Sequence, residues 1–208
     1  MLKNCILKIS KMVLVTFVML IIFIIFFICS YINGMKYHPN YNLADELLVQ
    51  DKHYSFANIM SMKNLLSIPR NHLEILRDAG YKIEINKEKI ISYSKEYYRF
   101  FAGLTVYADK RIYLYPVTDQ VGANLLHEVA HALSKINGDP DESEIFENIY
   151  KKEKSKIREY AQKDSSEFFA DVYMLQFNDF WFNYKKEDFP LSQKYLESLD
   201  WWDTKKVS

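Results

Sequence analysis

The sequence predicts an α+β domain, a small sheet followed by helices, behind one N-terminal apolar helix. Three observations carry that prediction. Met12 to Cys29 is an eighteen-residue run without a charge. Three short apolar runs between residues 81 and 115 are separated by turn residues, as strands are. From about Asp119 the apolar positions recur at helical spacing until Gly138 and Pro140.

As a helix, the first run covers about 27 Å, enough to cross a hydrocarbon core. Only Thr16 interrupts it. Lys3, Lys8 and Lys11 precede it, and Lys36 is the one charge in the next dozen residues. The positive-inside bias therefore predicts a cytoplasmic N-terminus at residues 1–11, a transmembrane signal anchor at 12–30, and the remainder outside the cytoplasm. A cleaved signal peptide would have a shorter core and small residues at the cut. Ile28, Cys29, Ser30 and Tyr31 do not supply them, and bulky Phe27 and Ile28 make Cys29 a poor lipid acceptor. Cleavage would instead make the protein secreted.

Residues 31–55 read as a polar stalk and 56–208 as the domain. Pro69 opens a helix with an apolar side at Leu73, Ile75 and Leu76, and Gly80 ends it. Strands follow at Tyr81 to Ile85, Leu104 to Tyr107 and Arg111 to Tyr115, with Asp109-Lys110 as a turn. The next helix repeats Val121, Leu125, Val129 and Leu133. A charged helix is predicted from about Asp141 to Arg158. Another is capped by Ser165 or Ser166 and runs through Leu175, and a last short one covers Leu191 to Leu199.

Net formal charge is zero over 208 residues, and residues 31–208 hold 24 basic and 27 acidic groups. No basic patch argues for nucleic acid. Both cysteines, Cys5 and Cys29, fall in the anchor region, so the domain has no disulfide of its own and must be held by its core. Aromatic residues reach 16%, mostly for packing, and Trp201 and Trp202 are expected over the end of the last helix.

The chemistry lies in HEVAH, His127 to His131. On a helix, residues i and i+4 share a face, so both imidazoles can address one ion. Glu128 lies about 100° round from His127 and can reach a water on that ion without binding the ion itself. Two nitrogen ligands and a general base on one turn make the zinc hydrolase arrangement. Two histidines leave a catalytic zinc one protein ligand short. The metzincin pattern fails, because Ser134 and Asn137 stand where it needs glycine and histidine. His38, His53 and His72 lie upstream and read as surface residues. A ligand glutamate on a later helix often has an acid four residues on, which fixes a histidine tautomer. Of the glutamates after His131, only Glu167 has one, Asp171, in SSEFFADVY. Glu144 and Glu147 are the next candidates.

HEVAH followed by SSEFFAD resembles the catalytic domain of anthrax lethal factor and its smaller relatives, the Pro-Pro endopeptidases among them. The likeness covers about residues 56–208, and its specific motifs occupy 127–131 and 160–171. It implies a zincin-like metalloprotease domain in which His127, His131 and Glu167 hold one Zn2+ and Glu128 is the base. It also implies a tyrosine seven residues before the ligand glutamate, which singles out Tyr160 as the donor to the oxyanion. Ala130, Ser134 and Asp171 depart from the family pattern, and bear on substrate fit and on Asp171 as the histidine's partner. Heat-shock and CAAX-type membrane proteases also pair HExxH with E-x-x-x-D. They have several spans and an arginine after the aspartate, where this chain has one span and Val172. Site-2-type intramembrane proteases are disfavoured, because HEVAH lies about a hundred residues from the span.

The expected function is a membrane-anchored zinc metalloendopeptidase that hydrolyses extracytoplasmic protein or peptide substrates through a Glu-activated water on zinc. Arg111 to Tyr115 is the expected sheet edge for an extended substrate. Two alternatives stay open: an inactive zincin-fold surface-binding module, and a secreted toxin-type protease if the first segment is cleaved.

Overall fold

The structure, a computed structural model, describes residues 2–49, 55–116, 120–178 and 184–202, with side chains from Val13 in the first stretch and Phe56 in the second. Two compact units emerge, Met1–His38 and Pro39–Ser208. The first is one helix, α1 (Leu2–Met35). Its stretch Val13–Met35 is long and apolar enough to cross a membrane, about 34 Å at 1.5 Å per residue.

The second unit is an α+β fold. Its elements run α2 (Tyr41–Leu47), β1 (Leu48–Val49), α3 (Ser55–Ser67), α4 (Arg70–Asp78), β2 (Lys82–Ile85), α5 (Lys87–Glu96), β3 (Gly103–Val106), β4 (Arg111–Leu114), α6 (Val121–Ile136), α7 (Glu144–Glu153), α8 (Ser165–Leu175) and α9 (Pro190–Glu197). The sheet order is β1-β2-β4-β3, parallel except for the antiparallel β3–β4 pair.

Much of the expected stalk belongs to the folded unit. Leu43, Ala44, Leu47 and Leu48 are buried, and β1 pairs with β2. Polar neighbours mask that burial in the sequence, because a two-residue strand shows no alternation. Residues 31–35 of the expected stalk instead end α1, and residues 50–54, His53 among them, lie outside the described residues, as does Asp119.

The Arg111 strand is not an edge. β4 bonds to β2 on one side and to β3 on the other. Ile112, Tyr113 and Leu114 are all buried, the unbroken apolar run of a strand covered on both faces. The edge nearest HEVAH is β3.

α6 is the core helix, packed by α3, α8, β3 and β4. Burying Leu125, Leu126 and Leu133 stabilises the fold by roughly 1.5–3 kcal/mol each. Its first turn lies so close to α3 that a Cβ on Gly122 would come within 2.0 Å of Asn64 Nδ2. Asn137 caps its C-terminus, and Gly138 turns the chain at φ +80°.

The single charged helix expected over Asp141–Arg158 is broken. Ser143 takes an extended conformation, and its hydroxyl accepts from Phe146 N at 3.2 Å, starting α7 afresh. At the other end of α7, the buried Glu153 carboxylate accepts from Leu191 N (3.1 Å), Ser192 N (3.1 Å) and Ser192 Oγ (2.6 Å). It caps α9 from a distance.

His72 is not a surface residue: it is 0% exposed. It lies one position from Leu73 and four from Leu76, on the buried side of α4. Its Nδ1 is 2.9 Å from Tyr173 Oη. Trp201 and Trp202 close around it at 5.1 and 5.2 Å between ring centroids. This aromatic cluster backs α8, the helix that carries Glu167 and Asp171.

Candidate metal centre and cleft

α6 and α8 bring three potential metal ligands together. His127 and His131 project from one face of α6, and Glu167 comes from the first turn of α8. His127 Nε2 lies 3.1 Å from His131 Nε2 and 3.0 Å from Glu167 Oε2, and His131 Nε2 lies 3.6 Å from that oxygen. His127, His131 and Glu167 form the group able to hold a metal ion among the described residues.

Tautomers make the fit to a cation chemical as well as spatial. His127 Nδ1 is 2.8 Å from Asp171 Oδ1, so its proton belongs there and its Nε2 lone pair turns inward. His131 Nδ1 is 3.2 Å from Ser166 Oγ, a hydroxyl able to accept the Nδ1 proton and so leave Nε2 free likewise. Two lone pairs and a carboxylate then converge on one point, which only a proton or a cation reconciles. A four-coordinate ion with bonds of ~2.05 Å holds its donors roughly 3.3 Å apart, in line with these separations.

Electrostatics points the same way. Burial opposes charge on His127, but hydrogen bonds that its ring donates to Asp171 and Glu167 overcome it and raise its pKa to about 10. Burial likewise opposes charge on Glu167, and the two histidines overcome it, so its carboxyl sits well below the usual range. Asp171 is fully buried, and His127 and Arg158 hold its pKa down against burial. Metal binding at such a site displaces a proton.

Arg158 had no signal in the sequence. Its Nε reaches Asp171 Oδ2 and its Nη2 reaches Asp171 Oδ1, each at 2.5 Å. The arginine beside this aspartate thus comes from thirteen residues upstream. The α8 cap also differs from expectation. Asp164 Oδ1 accepts from Glu167 N at 2.8 Å, while Ser165 is buried and Ser166 serves His131.

Glu128 is 8% exposed and faces β3. Thr105 Oγ1 lies 2.8 Å from its Oε2 and 2.9 Å from its carbonyl oxygen, sharing one proton between them. A Cβ on Gly103 would sit 2.7 Å from Glu128 Cγ, so glycine is what lets the strand come this close. No spacing rule links residues 103 and 105 to 128; the β3–α6 packing does.

Tyr160 lies on a short 3-10 turn, Glu159–Gln162. Its hydroxyl donates to Glu167 Oε1 at 2.8 Å and accepts from Arg99 Nη2 at 2.7 Å. Burial and the neighbouring Glu167 raise its pKa, and Arg99 opposes them. Glu128, His131, Tyr160 and Glu167 line one cleft of about 300 Å³ together with Arg99 and Gly103 to Thr105.

No protein-family model matches this sequence, and neither does any curated protein. Among solved structures, the chain is similar to a Pro-Pro endopeptidase from Paenibacillus alvei, with a TM-score of 0.58 and 22% identity over 74% of this chain and 97% of that one. At that identity the likeness speaks for the fold alone.

Proposed function

We propose that this chain is a zinc-dependent metalloendopeptidase of the zincin-like type, related to the lethal factor domain and the Pro-Pro endopeptidases. One observation carries the reading most: His131 and Glu167, two of three clustered metal-capable donors, line one cleft with a buried glutamate and a sheet edge, and His127 completes the cluster behind them. Its fold likeness to an endopeptidase structure supports it.

In this reading His127, His131 and Glu167 hold one zinc, and Asp171 fixes the His127 tautomer. When bound, the ion supplies Lewis acidity and makes a water acidic enough to ionise near neutral pH. Glu128 takes that water's proton and later delivers it to the leaving amine. The hydroxyl of Tyr160 turns from Glu167 toward the oxyanion and donates to it. An extended peptide adds to β3 rather than to the Arg111 strand, because β3 is the edge beside the cleft. Residues 12–30 anchor the protein, residues 1–11 are cytoplasmic, and the folded unit lies outside the cytoplasm.

The test uses the full chain with zinc supplied. Glu128→Gln keeps the metal and loses on the order of 10²–10⁴ in peptide turnover, because Gln cannot accept a proton. Tyr160→Phe keeps the metal and loses roughly 10²–10³. Zinc-loaded wild type that cuts no member of a peptide library would instead favour a surface-binding module.

A further inference from the structure

We infer that Arg99 is the cleft's receptor for a carboxylate on the substrate, so that the preferred peptides are anionic at one position near the cut bond. This rests on the peptidase reading and adds a substrate class to it.

Arg99 lies just before β3 and lines the cleft with Glu128, His131 and Tyr160. It is exposed, yet its guanidinium is fixed. The group sits 5.2 Å from the Tyr160 ring centroid and 5.3 Å from that of Phe101, and Nη2 donates to Tyr160 Oη at 2.7 Å. A stacked, oriented guanidinium loses little further entropy when it binds a planar anion.

Among the described residues no carboxylate lies within ion-pair distance of Arg99. Arg70, Arg77 and Arg158 each have one, in Glu74, Asp78 and Asp171. The acids lining the cleft are engaged elsewhere: Glu128 with Thr105, Glu167 with the histidines and Tyr160, and Asp164 at the start of α8. A guanidinium has five N–H donors, and the contact with Tyr160 uses one. Holding a phenol oxygen needs only a single donor. The spare fork at the cleft wall has the geometry for two parallel bonds to a carboxylate. Lys163, whose Nζ is 4.4 Å from the Tyr160 ring centroid, adds positive potential beside it, whereas Arg158 is neutralised by Asp171.

The carboxylate belongs either to an Asp or Glu side chain or to the peptide's C-terminus. Matched libraries separate the two. One pair differs only in Glu and Asp against Gln and Asn, the other only in a free against an amidated C-terminus. Both are digested by the zinc-loaded full chain and read by mass spectrometry. Wild type is expected to favour the carboxylate member of one pair by roughly tenfold or more, the scale of a charge-assisted hydrogen bond. Arg99→Gln should bring that ratio to about one, and Arg99→Lys should keep part of it. No preference in wild type, or a preference that survives Arg99→Gln, overturns the assignment. So does an equal slowing of both members, which would make Arg99 only a holder of Tyr160. If wild type cuts nothing, the peptidase reading fails separately, and capture of the same libraries on the immobilised zinc-loaded chain decides Arg99. Carboxylate peptides retained by wild type and released in Arg99→Gln uphold it; equal retention sinks it.

Discussion

The two walls of the cleft are built by opposite means. The helix wall, α6 with α8, sets its groups by position along a helix and fixes them by burial. His127, Glu128 and Asp171 are 6%, 8% and 0% exposed, and each has a partner. The strand wall, residues 99–105, sets its groups by how closely β3 approaches α6, and Arg99 at its rim is exposed. The first wall can hold an ion; the second sets the distance to whatever lies over that ion. Damage to each should therefore look different, with metal lost from one and turnover lost from the other.

The largest effect should come from Glu167→Ala. Removing the only carboxylate among the three donors should leave the purified chain nearly metal-free and inactive, as elemental analysis would show. Full occupancy in that variant would move the third ligand to Glu144 or Glu147. Gly103→Ala should do the reverse. Its Cβ meets Glu128 Cγ at 2.7 Å, so the strand or the glutamate must shift. We expect turnover to fall by on the order of 10²-fold, with metal content unchanged. Wild-type kinetics there would mean that the walls are not in contact in solution. Thr105→Val is milder. It removes a hydrogen bond of about 1 kcal/mol, which should lower turnover several-fold, and Thr105→Ser should restore it.

The last effect is one of pH on the metal-free chain, read in stability rather than turnover. His127 is raised from 6.5 to about 10 in the fold. A raised folded pKa stabilises fully below the unfolded value and is lost as pH climbs through the folded one. The urea midpoint of the metal-free protein should therefore decline between pH 6.5 and about 10, while zinc-loaded protein resists. A flat midpoint would show that His127 carries no proton there.

The same division explains what the sequence reveals. The helix wall is legible because its chemistry repeats at short intervals: i and i+4 for the histidines, and i and i+4 again for Glu167 and Asp171. The α+β class and three of the four strands among the described residues follow from alternation and turn residues. Tyr160 emerges only through a family likeness, since spacing alone does not separate it from fifteen other tyrosines. Arg99, Gly103, Thr105 and Arg158 stay hidden because each acts on a residue at least thirteen positions away. The edge is misread because strand order depends on where β1 and β2 settle, although three consecutive buried residues in β4 hint at an interior strand. His72 is misread because polarity suggests the surface, whereas its spacing with Leu73 and Leu76 follows the buried side of α4.

Arg158 and Tyr160 stand two residues apart, and they grip Asp171 and Glu167, which stand four apart on α8. Their connecting segment is thus a ruler. Among residues 161–166 only Lys163 and Asp164 are exposed, and Asp164 accepts from Glu167 N, so little beyond Lys163 is free to vary, and the length is not. Inserting or deleting one residue between 160 and 167 would uncouple Tyr160 from Glu167 and Arg158 from Asp171 in a single event. Along this stretch, the residue count should resist change as firmly as the residue types at Asp164 and Ser166 do.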